Sequence, residues 1–392
     1  MDNYTTISKC RLCGSKDLEF LLSLGNHYVN DFPEKLPPKS IKCPVEMIEC
    51  QNCSLIQLKH SAPQEILYAR HYWYKSGIND VIKNDLKEIA EIAMNHMEKG
   101  DTILDIGAND GTFLSFVSGD YKRVGCEPAD NLIGELRKHA DVALHDFWGG
   151  EKNIYQEKEK AKVITAIGMF YDLEDPLKFV SDAKDVLHQD GIFIAQLMTA
   201  KPMVENNDLG NLCHEHLEFY HYPSLKYLFE AAGLEIYKIE ENKINGGSYR
   251  IFARHFRNGS INYPESKIDW TLFRKNIEEN REKCVSFIKK EAGDGKKIYA
   301  YGASTKGNTI LQYYELGPDL IKGAADKDSE KYGKYMLTGI PIVPEEEGRR
   351  QADYFLILPY AFADMFAKRE EEWLKKGGKF IVPLPNFRVL SS

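Results

Sequence analysis

No apolar run in this 392-residue sequence approaches the roughly 20 residues that cross a bilayer, so no membrane span is expected. The stretch Met1 to Lys9 is polar and lacks the apolar core of a signal peptide, which makes the cytoplasm the expected compartment. A basic surplus is missing too: 51 Lys and Arg stand against 59 Asp and Glu, for a net charge of −8. Nucleic-acid binders set Lys and Arg against phosphates, so this balance favours small-molecule work and argues against an RNA-binding module. No convincing repeat relates the two halves. At 43% hydrophobic residues the composition is that of globular domains, and the length suits two or three of them, each able to bury a core. The sequence does not fix the oligomeric state, and a monomer is compatible with it.

What is present begins with cysteine. Four of the eight stand as Cys10-x-x-Cys13 and Cys50-x-x-Cys53. In a reducing compartment such pairs read as metal ligands rather than disulfides, and two pairs disfavour a redox role. Zinc takes four ligands in a tetrahedron, and four thiolates leave no open position, so the expected ion is structural. Gly14 suits the tight turn at Cys13. Cys43 lies near enough in sequence to compete as a ligand.

Three domains are expected, at 1–60, 61–256 and 257–392. The first reads as short strands and turns around the cysteine pairs, with Lys35-Leu36-Pro37-Pro38-Lys39 as a loop between them. Residues 61–95 read as helical after Pro63, interrupted at His71-Tyr72-Trp73-Tyr74, and Val81, Ile82, Leu86, Ile89, Ile92 and Ala93 recur at helical spacing. From 101 to 256 strands and helices alternate, with strands at 102–104, 123–126, 161–168 and 191–196; that rhythm implies a parallel sheet. Segments 234–237 and 249–253, divided by Gly246-Gly247, have no helix between them and should pair antiparallel at its edge. The last domain opens with an amphipathic helix near Trp270 to Ala292. A second β/α layer follows, with strands at 298–301, 324–326, 354–358 and 380–383 and a helix at 309–314.

Asp105-Ile106-Gly107-Ala108-Asn109-Asp110-Gly111 sits between a strand and a helix. Gly107 and Gly111 allow the backbone close to a ligand, and Asn109 tolerates left-handed φ where dinucleotide folds use glycine. The carboxylates of Asp105 and Asp110 would repel a pyrophosphate and attract an amino group and a sulfonium. Glu127, ending the next strand, is placed to accept both hydroxyls of a ribose. Together these favour S-adenosylmethionine over NAD. Phe170, with Met169 and Tyr171, is a candidate wall of the cofactor cleft, core packing being the plain alternative. The expected fold is α/β: a zinc-binding domain, a class I S-adenosylmethionine methyltransferase (Rossmann-like) domain and a C-terminal Rossmann-like domain. The segment from Gly302 to Thr309 is not a P-loop, because Lys306 precedes Gly307 instead of following it. Lys306, at a helix start, remains a candidate partner for a substrate phosphate; a surface glycine turn is the alternative.

These motifs, in this order, resemble the C-methyltransferases of deoxysugar biosynthesis, which act on nucleotide-linked keto-sugars. The resemblance spans nearly the whole chain. Cys10-Arg11-Leu12-Cys13-Gly14 with Cys50-x-x-Cys53 is similar to that family's zinc domain, and Tyr74-Lys75-Ser76-Gly77 to the motif before its cofactor domain. Asp105 to Gly111 resembles its cofactor loop. His214-Glu215-His216-Leu217 and Asn245-Gly246-Gly247-Ser248-Tyr249-Arg250 resemble its active-site and hairpin motifs. Tyr301-Gly302-Ala303-x-x-Lys306-Gly307-Asn308-Thr309 and Ile381-Val382-Pro383-x-Pro385 resemble its C-terminal domain. The resemblance implies a cofactor site at Ser76, Asp105, Gly107, Asn109, Asp110, Gly111 and Glu127, and a substrate site including Asn245, Gly246, Lys306 and Asn308. One position departs from it: Cys213 stands where the family commonly has Tyr.

Carbon methylation needs a nucleophilic carbon, which forms when a base removes a proton beside a ketone. The enolate then attacks the sulfonium methyl. An imidazole suits that task near neutral pH, and the resemblance implies His216 as the base. Glu215 is the expected orienter or second base, and His214 a contact to the ketone oxygen or a phosphate. Tyr72 and Tyr74 are candidate hydrogen-bond donors to the enolate. The plain alternative for the H-E-H segment is a solvated turn. An O- or N-methyltransferase on a related small molecule is the nearest rival reaction.

Overall fold

The computed structural model describes residues 4–29, 31–69, 72–149 and 160–391. Its centre is a seven-stranded sheet in the order Leu234–Asn242, Ser248–His255, Leu187–Met198, Ala161–Ile167, Thr102–Ile106, Lys122–Cys126, Val142–Leu144. The last five run parallel, while Ser248–His255 is antiparallel to both its neighbours. The expected hairpin therefore exists, with its second strand inserted inside the edge. Thr102–Ile106 and Ala161–Ile167 are buried along most of their length, as strands covered on both faces must be. From Thr102–Ile106 the chain first builds outward on one side and then returns to build on the other. The strand order reverses beside it, and parallel sheets hold ligands outside the carboxyl ends at such a reversal.

The cysteine pairs belong to a four-stranded antiparallel sheet ordered Glu218–Phe219, Ile56–Leu58, Lys42–Cys50, Leu18–Tyr28. Two of these strands are longer than the sequence suggested, at eleven and nine residues. The outermost comes from the far side of the chain, because Glu218 and Phe219 pair with Gln57 and Ile56. The lead-in is less helical than its periodicity implied. It contains a π-turn at Glu65–Ala69, a 3-10 turn at Ser76–Ile78 and one true helix, Asp80–Met94. His71 lies outside the described residues.

Helix Trp270–Gly293 starts where Asp269 accepts a hydrogen bond from Leu272 N, and it buries Phe273, Ile277, Cys284 and Ile288 along one face. Beyond it lies a six-stranded sheet, Ile342–Pro344, Ile321–Asp326, Ile298–Tyr301, Tyr354–Ile357, Lys379–Val382, Arg388–Leu390. Only the last strand is antiparallel. The two edge strands have three residues each, too few to show a period of two.

Phe170 is a correction to the expected cofactor wall. It is fully buried, and its ring lies 5.6–6.2 Å from those of Phe179, Phe193, Tyr220 and Phe229. Its neighbour Met169 faces the opposite way, into the cavity. Phe170→Ala should lower the unfolding free energy by about 3–5 kcal/mol, as loss of a packed core ring does. Denaturant unfolding beside calorimetric titration checks this, with S-adenosylmethionine affinity of the folded fraction unchanged.

Candidate active site and zinc site

The carboxyl ends of four central strands open into one cavity of about 1160 Å³. That exceeds the roughly 300–1000 Å³ of single-ligand pockets and leaves room for two ligands side by side. Gly107, Asn109 and Glu127 line it. Gly107 has φ 76°, and a Cβ there would meet Met169 Cγ at 2.5 Å, so the loop has no space for a side chain. Asn109 takes the left-handed φ of 52° that its residue type tolerates. Its Oδ1 accepts from Ser76 N at 2.9 Å, tying the lead-in to the loop. Glu127 accepts from Asn109 N at 2.8 Å and from Ala129 N at 2.9 Å, which fixes its carboxylate against the cavity. Burial raises its carboxyl above the ordinary value against those two bonds. The nearby Pro128, Phe147 and Trp148 offer an apolar wall for a flat adenine.

The H-E-H segment reaches the same cavity from the other side. Glu215 and His216 line it with Cys213, Tyr72 and Tyr74. His216 Nδ1 is 2.8 Å from Asn211 O, so Nδ1 must carry the proton and Nε2 is left as an acceptor. Burial, with Lys306 nearby, lowers its pKa to about 3. The imidazole is therefore neutral at physiological pH, and a weak base until negative charge beside it offsets its cation. Lys306 lines the cavity too, with Nζ 3.8 Å from Met198 Sδ, as does Asn245, whose φ is 53°.

At the cysteine site, the four sulfurs lie within 4.8 Å of one another. Cys10 and Cys53 Sγ are 3.6 Å apart and Cys13 and Cys50 Sγ 3.5 Å apart. A tetrahedron with bonds of about 2.3 Å places sulfurs about 3.8 Å apart, so the donor set fits zinc. Gln57 Nε2 donates to Cys10 Sγ at 3.3 Å and steadies the site from outside. Cys43 does not compete; it is buried in a separate cluster with Val29, Ala62 and Leu67.

Residues 10–68 match a zinc binding domain family, 76–239 a methyltransferase domain family, and 243–385 the C-methyltransferase C-terminal domain family. The chain is also 26% identical to the C-methyltransferase NovU of Streptomyces niveus, over 98% of this chain and 97% of that protein. Taken together, these matches make the chain an S-adenosylmethionine-dependent C-methyltransferase. Solved structures are similar at a lower level. Magnesium protoporphyrin IX methyltransferase of Synechocystis PCC 6803 with bound SAH has 10% identity and a TM-score of 0.36, over 46% of this chain and 88% of that one. An S-adenosylmethionine-dependent methyltransferase of Clostridium acetobutylicum ATCC 824 has 12% identity and a TM-score of 0.36, over 46% and 93%. The four-cysteine cluster and the match of residues 10–68 to the zinc binding family give this C-methyltransferase a structural zinc site.

Several expected site residues of the C-methyltransferase do not reach the cavity. Asp105 is buried beneath the loop, where Thr165 Oγ1 donates to it at 2.7 Å, and burial pushes its carboxyl up to about 7. Asp110 turns back to accept from Thr112 N at 3.1 Å and Gly77 N at 2.9 Å. Gly111 packs against Leu136 and His139. His214 donates through Nε2 to Cys43 O at 2.8 Å and so faces the zinc-side sheet instead of a ketone. Asn308, fully buried, donates to Asp31 O at 3.2 Å and accepts from Leu337 N at 3.1 Å; it ties two parts of the chain together. Gly246 sits under the hairpin against Asp208. The cavity also holds groups the sequence did not flag, among them Asp85, Asp172, Gln196, Lys35, Lys39 and Lys334. Asp172 follows the carboxyl end of a parallel strand, the one local signal that could have marked it.

Two outcomes follow. Cys10→Ser should lose stoichiometric zinc on elemental analysis, along with thermal stability, since a missing thiolate leaves the ion undercoordinated. Glu127→Ala should weaken S-adenosylmethionine binding by about 2–3 kcal/mol in calorimetry, the worth of two charge-assisted hydrogen bonds discounted for partial solvation.

Proposed function

We propose that this C-methyltransferase moves the methyl of S-adenosylmethionine to the carbon beside the ketone of a nucleotide-linked 4-keto-deoxysugar, in the cytoplasm, with His216 as base. The observation that carries this reading is that His216 and Lys306 face the same cavity as Gly107 and Glu127. A base and a cation thus stand opposite the cofactor loop, in a space larger than the cofactor needs. The lysines Lys35, Lys39, Lys306 and Lys334 suit a diphosphate. Trp73, edge-on to Phe32 at 5.1 Å with Lys334 Nζ 4.7 Å over its ring, suits a nucleobase beside it.

In this reading, residues 1–60 hold zinc, 61–256 the cofactor and the base, and 257–392 contribute Lys306 to the substrate. Nε2 of His216 takes the proton, and the electron pair moves into the carbonyl. Neighbouring Glu215 and the new enolate offset the cation on the imidazole. Tyr72 and Tyr74 face the same space as hydrogen-bond donors. His216→Asn keeps the size but is a very poor base. It should lower kcat by roughly 10²–10⁴-fold with cofactor affinity unchanged, measured with a nucleoside-diphosphate 4-keto-deoxyhexose. Wild-type turnover in that variant would place the base elsewhere.

A further inference from the structure

Asp172 lines the cavity, yet only 8% of its surface is exposed, and its Oδ1 has no hydrogen-bond partner among the described residues. Its backbone is locked to the H-E-H segment on both sides. Tyr171 O accepts from Leu217 N at 2.8 Å and Glu218 N at 3.0 Å, while Leu173 N donates to Glu218 Oε2 at 3.1 Å. The Tyr171 ring meets His216 edge-on at 4.6 Å. Asp172 is therefore held one residue from the ring that packs on the base. A buried carboxyl without a partner is costly to keep, and such groups cluster where a ligand completes them.

Two of the polar groups nearby are committed. Tyr68 OH donates to Glu215 O, and Tyr171 OH donates to Gly168 O at 2.9 Å. Burial pushes the Cys213 thiol well up, as it does the Asp172 carboxyl, and the neighbouring acidic groups Glu215 and Glu218, the latter itself raised by burial, add to the rise at Asp172. A carboxyl in such surroundings stays neutral and carries a proton to donate.

We propose that Asp172 is a catalytic residue that donates a hydrogen bond to the enolate oxygen of the substrate; this rests on the keto-substrate reading above. His216 Nε2 takes the proton from carbon, the C–H pair moves into the C–C bond, and the carbonyl pair moves onto oxygen, where the Asp172 O–H stabilises it. The carbonyl then re-forms as the carbon attacks the methyl. The S–CH₃ bond breaks, its electrons stay on sulfur as S-adenosylhomocysteine, and the proton remains on Asp172.

Two variants test this, with folding checked by zinc content and cofactor affinity. Asp172→Asn can still donate and should lose about 10-fold in turnover, whereas Asp172→Leu should lose on the order of 10²–10³-fold, the range for one oxyanion donor. Washout of the substrate proton from a nucleoside-diphosphate 4-keto-deoxyhexose into deuterated water should slow in step, with KM within twofold. Wild-type washout in Asp172→Leu overturns the proposal. Infrared difference spectra of wild type against Asp172→Asn at neutral pH need no substrate. They should show the carbonyl stretch of one protonated carboxylic acid, and its absence also overturns the proposal. If wild type leaves the sugar untouched while that band is present, the sugar assignment has failed and the donor state of Asp172 has not.

Discussion

The active-site segment is held from two sides. Tyr171 O of the cofactor-binding domain accepts from Leu217 N and Glu218 N, and main-chain pairing ties the same residues to the zinc-side sheet. Glu218 and Phe219 form the fourth strand of that sheet beside Ile56 and Gln57, and Leu58 N donates to Leu217 O at 2.8 Å. Cys50 and Cys53 stand immediately before the strand that makes these bonds. His214 adds a second tie through Cys43 O. The zinc site thus backs the strand that pairs with the segment carrying His216; for the proposed base this matters, because misplacing a catalytic group by about 1 Å can cost 10²-fold in rate.

A second set of ties fixes the segment from the C-terminal side. Tyr360 OH donates to Asp208, which also accepts from Asn211 Nδ2, and Asn211 O holds His216 Nδ1. His216 therefore has its tautomer set by a residue that is itself anchored in the last domain. One apolar core runs through all these parts. It joins Leu22, Val45 and Met47 of the zinc-side sheet to Leu212 and Leu217 of the active segment and to Ile298, Phe355 and Ile381 of the C-terminal sheet. The electrostatics of the cavity follow from the same enclosure. Burial keeps the His216 imidazole and the Asp172 carboxyl uncharged, while lysines elsewhere in the cavity bring positive charge to it.

The parts legible in the sequence were those encoded locally. Two C-x-x-C pairs carry their metal geometry in their spacing, and Asp105 to Gly111 carries its turn in its glycines and Asn109. Roles set by tertiary contact were not legible. Asn308 and His214 sit inside functional motifs but serve as ties, because what each meets is more than a hundred residues away or comes from a separate domain. Phe170 follows a strand whose end lines the cavity, yet it points to the other face of the sheet. Asp172 lies in the acidic run Asp172-Leu173-Glu174-Asp175; its burial comes from distant residues, with Gln64 bonded to its carbonyl and Tyr68, Tyr72 and Glu215 nearby. The departure Cys213 was visible in sequence, and the structure adds that its thiol is enclosed beside Glu215.

In the proposed reaction, a carbon beside a ketone is deprotonated and methylated within one enclosed space. The most direct measurement uses S-adenosylmethionine labelled with ¹³C at the methyl, a nucleoside-diphosphate 4-keto-deoxyhexose, and carbon NMR of the product. The expected product carries the labelled methyl on the carbon next to the carbonyl, coupled to its carbon neighbour in a uniformly labelled sugar. A labelled methyl on oxygen or nitrogen would contradict it.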